Sequence, residues 1–158
     1  MDIFIRTADQ DDYESLLPLF RQVHDLHVFE RPDLYKENST PVGLEFFKNQ
    51  LVDDKQHIFV ATQGVEMIGF VVMKEEEIPE NSFVNARKVL FVNSLCVADA
   101  KRKKGIGRRL MEYVFDFGRS LKVDSIELGV SEKNQDAIHF YESIGMATKS
   151  RRMEFRLN

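Results

Sequence analysis

Leu95-Cys96-Val97-Ala98-Asp99-Ala100-Lys101-Arg102-Lys103-Lys104-Gly105-Ile106-Gly107-Arg108-Arg109-Leu110 is the stretch on which the reading of this chain turns. It leaves an apolar strand, crosses a basic loop and enters a helix. The first turn of a helix leaves several N–H groups without internal partners, and the helix dipole adds partial positive charge there. Phosphate oxygens suit that position. Gly105 and Gly107 remove side chains where a diphosphate would press on the backbone, and each glycine costs a helix about 1 kcal/mol relative to alanine. Two so close together imply a compensating use. No Gly-Lys-Ser/Thr ends the loop, so it is not a Walker A turn, and Gly105 and Gly107 lead to Leu110 rather than to the third glycine of a dinucleotide fingerprint.

Periodicity on either side of this segment supplies the rest of the fold. Ile3 to Arg6 alternates as a short strand. A helix capped by Thr7 or Asp9 follows, with Leu16, Leu19, Phe20 and Val23 as its buried stripe. Pro18 lies inside it and predicts a kink or two helical pieces. Residues 25–41 read mainly as loop, and Gly43 to Val52 as a short helix. His57 to Thr62 and Met67 to Met73 form a hairpin through Gly64. Lys74 to Arg87, with Glu75-Glu76-Glu77 and Pro79, reads as a surface connection, and Lys88 to Val97 as a long strand. Ile106, Leu110, Val114, Phe117 and Leu121 repeat at helical spacing, for a helix ending near Ser120. Ser125 to Val130 is a strand, Asn134 to Ile144 a helix closed by Gly145, and Lys149 to Leu157 a last strand. The order β-α-α-β-β-β-α-β-α-β predicts an α/β domain with a mixed, mostly antiparallel central sheet flanked by helices.

The 158 residues fit one domain spanning 1–158, and 43% hydrophobic with 11% aromatic residues is enough for a core without metals or disulfides. One cysteine, Cys96, excludes an internal disulfide and fits a reducing compartment. The first six residues lack a basic region followed by an apolar stretch, and no apolar run nears the roughly 20 residues that span a bilayer. The expectation is a soluble cytoplasmic protein with no membrane partner. A formal net charge of −4 disfavours nucleic acid, as does the lack of an aromatic stacking platform beside the Lys101–Arg109 cluster. The basic segment, broken by two glycines, reads instead as a local anion site.

Arg102-Lys103-Lys104-Gly105-Ile106-Gly107 fits an R/Q-x-x-G-x-G/A pattern, and Asn134 to Met146 fits N-x-x-A-x-x-F-Y-x-x-x-G-F, with Met146 where phenylalanine is commoner. Together, in this order, they resemble the two signature segments of the GNAT superfamily of N-acetyltransferases. Ala137, Phe140, Tyr141 and Ile144 also trace the face of any core-packed helix, so the second segment gains its meaning from the first. The resemblance implies an acetyl-CoA-dependent acyltransferase that moves the acetyl group directly to a primary amine in a ternary complex. A non-catalytic acyl-CoA sensor or interaction module on the same fold is the alternative. Carried over by position, Leu95, Cys96 and Val97 border the cofactor, with the Leu95 N–H facing the thioester carbonyl and the Val97 N–H the pantetheine. Arg102, Lys103, Lys104, Gly105, Ile106, Gly107 and Arg108 hold the pyrophosphate, Asn134 meets the pantetheine arm, and Tyr141 points at the sulfur. The resemblance also implies a homodimer.

Direct transfer needs an oxyanion donor, here the Leu95 amide, and a proton for the thiolate, here from Tyr141, whose reference pKa is near 10. The strand stretch Phe91-Val92-Asn93-Ser94 carries no carboxylate to serve as base. Asn93 is left as a residue that orders water. His24, His27 and Glu30 are the acceptor-binding candidates, and with Asp33 and Glu37 they point to a cationic acceptor. The two histidines lack a third ligand at a recognisable spacing, so no metal is expected. Cys96 is expected to pack rather than react.

Overall fold

In the computed structural model, which describes residues 2–157, the chain begins with β1 (Phe4–Thr7). A single 3-10 turn at Gln10–Asp12 leads into α1 (Tyr13–Glu30). Asp9 and Asp12 form a capping box, each side chain accepting from the other's end of the turn. Asp12 is also held by two bonds of 2.8 Å from the Arg6 guanidinium. That pair fixes where α1 leaves the sheet.

The helix runs through Pro18 as one element rather than as two helical pieces. The proline ring removes one N–H whose acceptor would be the Glu14 carbonyl, in the exposed first turn, where water can take it. Burial of Tyr13, Leu16, Leu19 and Phe20 holds the rest of the helix on the sheet. The helix also continues to Glu30, past the point where a loop was expected. His24 and His27 therefore stand one turn apart on a helix.

α2 (Leu44–Val52) follows, then β2 (Gln56–Gln63), β3 (Glu66–Ile78) and β4 (Arg87–Val97). β3 is longer than its apolar run predicts and takes in Glu75, Glu76 and Glu77, which pair with Leu90, Val89 and Lys88 of β4. Charge did not end the strand because Glu75 is satisfied there: the His57 imidazole lies 2.6 Å away and the Lys88 ammonium 3.5 Å away. α3 (Ile106–Leu121), β5 (Ser125–Leu128) and α4 (Gln135–Ser143) complete the fold.

Among the described residues the sheet has five strands in the order β1-β2-β3-β4-β5, antiparallel but for the parallel β4–β5 pair. The expected sixth strand is absent. Lys149 to Leu157 pairs with no strand, and its Met153, Phe155 and Leu157 are between 86% and 91% exposed. Alternation shows that a segment is fit to pair; it does not supply the partner edge. α1 and α2 cover one face of the sheet, burying Leu16, Phe20 and Phe47 on Ile58, Val60 and Phe70. α3 covers the other with Leu110, Met111 and Val114 on Val71, Met73 and Leu90, and α4 adds Phe140 and Tyr141 at its margin.

Candidate active site

β4 and β5 pair from Val89↔Ser125 to Val92↔Leu128, and there the pairing stops. β4 continues to Val97, so its Asn93–Val97 edge faces a gap. Its register against β3 jumps from Val72↔Ser94 to Met73↔Val92, which makes Asn93 a bulge residue. A bulge bends its strand and raises the local twist, and this one sits where β4 parts from β5. The Ala98 N–H donates to Ile68 of β3 at 2.8 Å. Successive N–H groups alternate between strand edges, so Leu95 and Val97 direct theirs away from β3, towards the gap.

At the end of the gap the chain makes a 3-10 turn (Asp99–Lys101) and a short loop into α3. Gln22 of α1 clamps the exit, donating to the Val97 carbonyl at 2.9 Å and accepting from the Asp99 N–H at 3.1 Å. Nothing in the spacing of α1 singled out Gln22. Lys103 and Gly105 are both left-handed, with φ of 63° and 81°; such reversals curl successive amides around a concave face. No side chain caps the N-terminus of α3, so its first-turn N–H groups remain for a ligand.

The cations divide. Lys101 is drawn to Glu66 at 3.5 Å, and Arg109 donates to the Ile3 carbonyl at 3.1 Å. Arg108 reaches the Ser143 carbonyl at 3.4 Å, and Arg102 stands 4.0 Å from Asp99. Lys103 and Lys104 are exposed and make no ion pair among the described residues. The glycines serve the fold in ways the motif did not announce. A Cβ on Gly105 would meet nothing within 4 Å, so its need is conformational. One on Gly107 would lie 3.3 Å from the Phe140 ring and 3.7 Å from Val97, so glycine lets α4 seat against the start of α3. Ile106 is buried, and only its backbone faces the loop.

On α4, Asn134 is the N-cap, its Oδ1 accepting from the Ala137 N–H at 3.1 Å. Gly145, at φ 100°, closes the helix, and Met146 N–H bonds back to the Tyr141 carbonyl at 3.0 Å. Burial pushes the Tyr141 phenol up to about 12 and the Cys96 thiol likewise to about 12. The first stays a proton donor at neutral pH; the second is no nucleophile there.

Across the sheet from α3 and α4, a cavity of about 440 Å³ opens between α1, α2 and the sheet. α1 lines it with Phe20, Val23, His24 and His27; the segment through α2 adds Pro41, Val42, Phe46 and Gln50. The sheet floor is Gln56, Phe70, Val72, Lys74, Asn93 and Ser94. Asn93 and Ser94 thus belong both to the cavity and to the strand edge at the gap. His24 Nε2 lies 2.6 Å from the Lys36 carbonyl, to which it donates. His27 stacks on Tyr35 with ring centres 5.0 Å apart, and burial lowers its pKa.

Glu30 lies outside the lining of this cavity; its main-chain carbonyl accepts from Lys133 at 3.0 Å, and its charge acts on His27. Asp33 is engaged by Arg31 at 2.7 Å and Arg156 at 3.3 Å. None of Glu30, Asp33 and Glu37 is among the residues that line the cavity. Among the described residues no grouping of His, Cys, Asp or Glu has the make-up of a metal site, and no helix is long and apolar enough to cross a membrane.

Residues 20–146 match the acetyltransferase (GNAT) family, and the chain belongs to that family. An uncharacterised N-acetyltransferase of Archaeoglobus fulgidus is 28% identical over 143 residues, covering 88% of this chain and 89% of its own. One of Methanocaldococcus jannaschii is 25% identical over 145 residues, covering 92% of this chain. This chain spans only 61% of that relative's length. Among solved structures, a tetramutant of the BH1408 protein of Bacillus halodurans superposes with a TM-score of 0.94 at 32% identity, over 98% of this chain and 99% of that one. The aminoglycoside N-acetyltransferase AAC(6')-Iy, solved in complex with CoA, shares the fold, with a TM-score of 0.76 at 16% identity over 99% of this chain and 95% of that one.

Proposed function

We propose that this chain transfers the acetyl group of acetyl-CoA directly to a primary amine of a small molecule or peptide, both substrates being bound at once. One observation carries the reading: the open edge Asn93–Val97 runs from a solvent-open cavity to an uncapped, cation-flanked helix N-terminus. Amides and lysines at the α3 end suit a diphosphate; a narrow edge with two inward amides suits an extended amide-bearing arm. Arg102, Lys103, Lys104 and the backbone from Gly105 to Arg108 would hold the diphosphate. Val97 N–H and the Asn134 amide nitrogen would meet the arm.

Acetyl-CoA supplies a thioester whose carbonyl carbon gains the C–N bond and loses the C–S bond. In this reading the Leu95 N–H donates to the carbonyl oxygen as charge gathers on it. The Tyr141 hydroxyl gives its proton to the departing sulfur. Water held by Asn93 carries the amine proton to His27, which burial keeps neutral. Holding both reactants together can supply about 7–11 kcal/mol of the barrier. The single cysteine, free and buried, accords with a cytoplasmic setting.

The unpaired tail extends the reading to assembly. β5 is an edge of the sheet, and Met153, Phe155 and Leu157 stand exposed at every second position of an unpaired segment. Two copies exchanging these segments against each other's open edge would pair main-chain groups and bury six apolar side chains. That is on the order of 1,000 Å², enough for a specific interface.

The functional test is release of free thiol from acetyl-CoA in the presence of amines, with the acetylated amine identified by mass. Thiol release that depends on an amine supports the enzyme. CoA binding with no release for any amine contradicts it and favours a sensor.

A further inference from the structure

The cavity beside Asn93 and Ser94 has a chemical character that bears on the acceptor. From the α1 and α2 side Phe20, Val23 and Phe46 wall it, and Phe70 and Val72 form its floor. Among the described residues no Asp or Glu lines it, and its one full cation is Lys74, which makes no ion pair there and has Asp53 as its acidic neighbour. The nearby carboxylates stand behind the lining rather than in it: Glu30 acts by its charge on His27, Asp53 accepts from the Gln56 amide at 2.9 Å, and Asp33 is held in its arginine pairs.

We infer that the acceptor is a monoamine on an apolar, aromatic-sized body, and that polyamines and aminoglycosides are excluded; the inference rests on the acetyl-transfer reading above. A volume of about 440 Å³ takes a molecule of one or two rings. Its apolar walls reward an apolar body. A second ammonium would enter with no carboxylate to meet it, against Lys74 and at the cost of its own hydration. The same electrostatics ease the proton problem at the reacting nitrogen. An amine moved from water onto these apolar walls beside the Lys74 ammonium loses proton affinity, so a strand carboxylate is not needed to draw the proton off. A polycation-binding site would instead raise the amine's pKa and hold the proton on.

The test compares 2-phenylethylamine with spermidine and kanamycin as acceptors for the full-length protein, with CoA binding measured by calorimetry in parallel. The expected result is a kcat/KM for phenylethylamine at least tenfold above that of either polycation. Lys74→Glu, an exposed change that leaves the fold intact, should narrow the ratio at least tenfold while CoA binds as before. Equal or better turnover of spermidine or kanamycin overturns the inference, as does CoA binding with no turnover of phenylethylamine. Loss of CoA binding itself would strike the donor reading instead, so the two failures are distinguishable.

Discussion

Taking water away from a phenol raises the cost of its anion, which is why Tyr141 holds its proton up to about pH 12. Its folded value lies above the unfolded one near 10, so this group's share of stability is complete below about pH 10 and lost as pH rises through its folded value. For catalysis the consequence is a donor that never titrates in the working range. We expect Tyr141→Phe to lower kcat by roughly 10²–10⁴-fold with CoA affinity near normal. In the wild type, kcat/KM should climb with pH as the amine deprotonates and show no decline before about pH 10. An unchanged kcat, or an alkaline limb below that pH that the Phe variant abolishes, would remove Tyr141 from the mechanism. Sequence could name this tyrosine only through its motif, since the same spacing describes any core-facing helix. Asn93 was visible as a strand residue without a carboxylate neighbour; that it is a bulge became legible only once β3 was seen to skip it. Gln22 left no trace at all, because its two bonds join residues some 75 positions apart.

Local pattern read the elements well where burial enforced it. α3 begins at Ile106 and the strand before it ends at Val97, as the basic segment required. It misread elements whose limits are set by distant partners. Pro18 was tolerated because packing against the sheet outweighed one lost bond, and β3 ran through three glutamates because β4 and His57 were there to receive them. The turn into α3 gives the test at this scale. Gly105 sits at φ 81° in open space, so alanine there costs backbone strain and nothing else, roughly 1–2 kcal/mol. We expect Gly105→Ala to lower stability in urea by about that amount and to weaken CoA binding several-fold as the loop's amides turn away. Gly107→Ala meets the tip of the Phe140 ring and, more loosely, the Val97 side chain, and we expect a smaller effect on binding. Equal CoA affinity in Gly105→Ala and wild type would mean the left-handed turn does not organise the site.

Over the whole molecule, the sheet lies between two cores, and the split between β4 and β5 is where one ligand can reach through to the other face. The sequence motifs marked the α3 side; the cavity on the α1 side was hidden because its walls come from all along the chain between Phe20 and Ser94. The tail is tied down by surface ion pairs, Glu154 to Arg31 at 2.8 Å and Arg156 to Asp33 at 3.3 Å, which solvent screens, so a second copy can recruit it. Light scattering should find a dimer for the full chain and a monomer when residues 151–158 are removed; a full-length monomer at micromolar concentration would contradict the exchange. The central claim, that the bend from Val97 to Leu110 binds a diphosphate through its amides, is tested most directly by titrating CoA into the folded protein in a calorimeter. The account predicts saturable binding of one CoA per chain that weakens when Lys103 and Lys104 are replaced by alanine and as salt is raised. No heat of binding with either CoA or acetyl-CoA would contradict it.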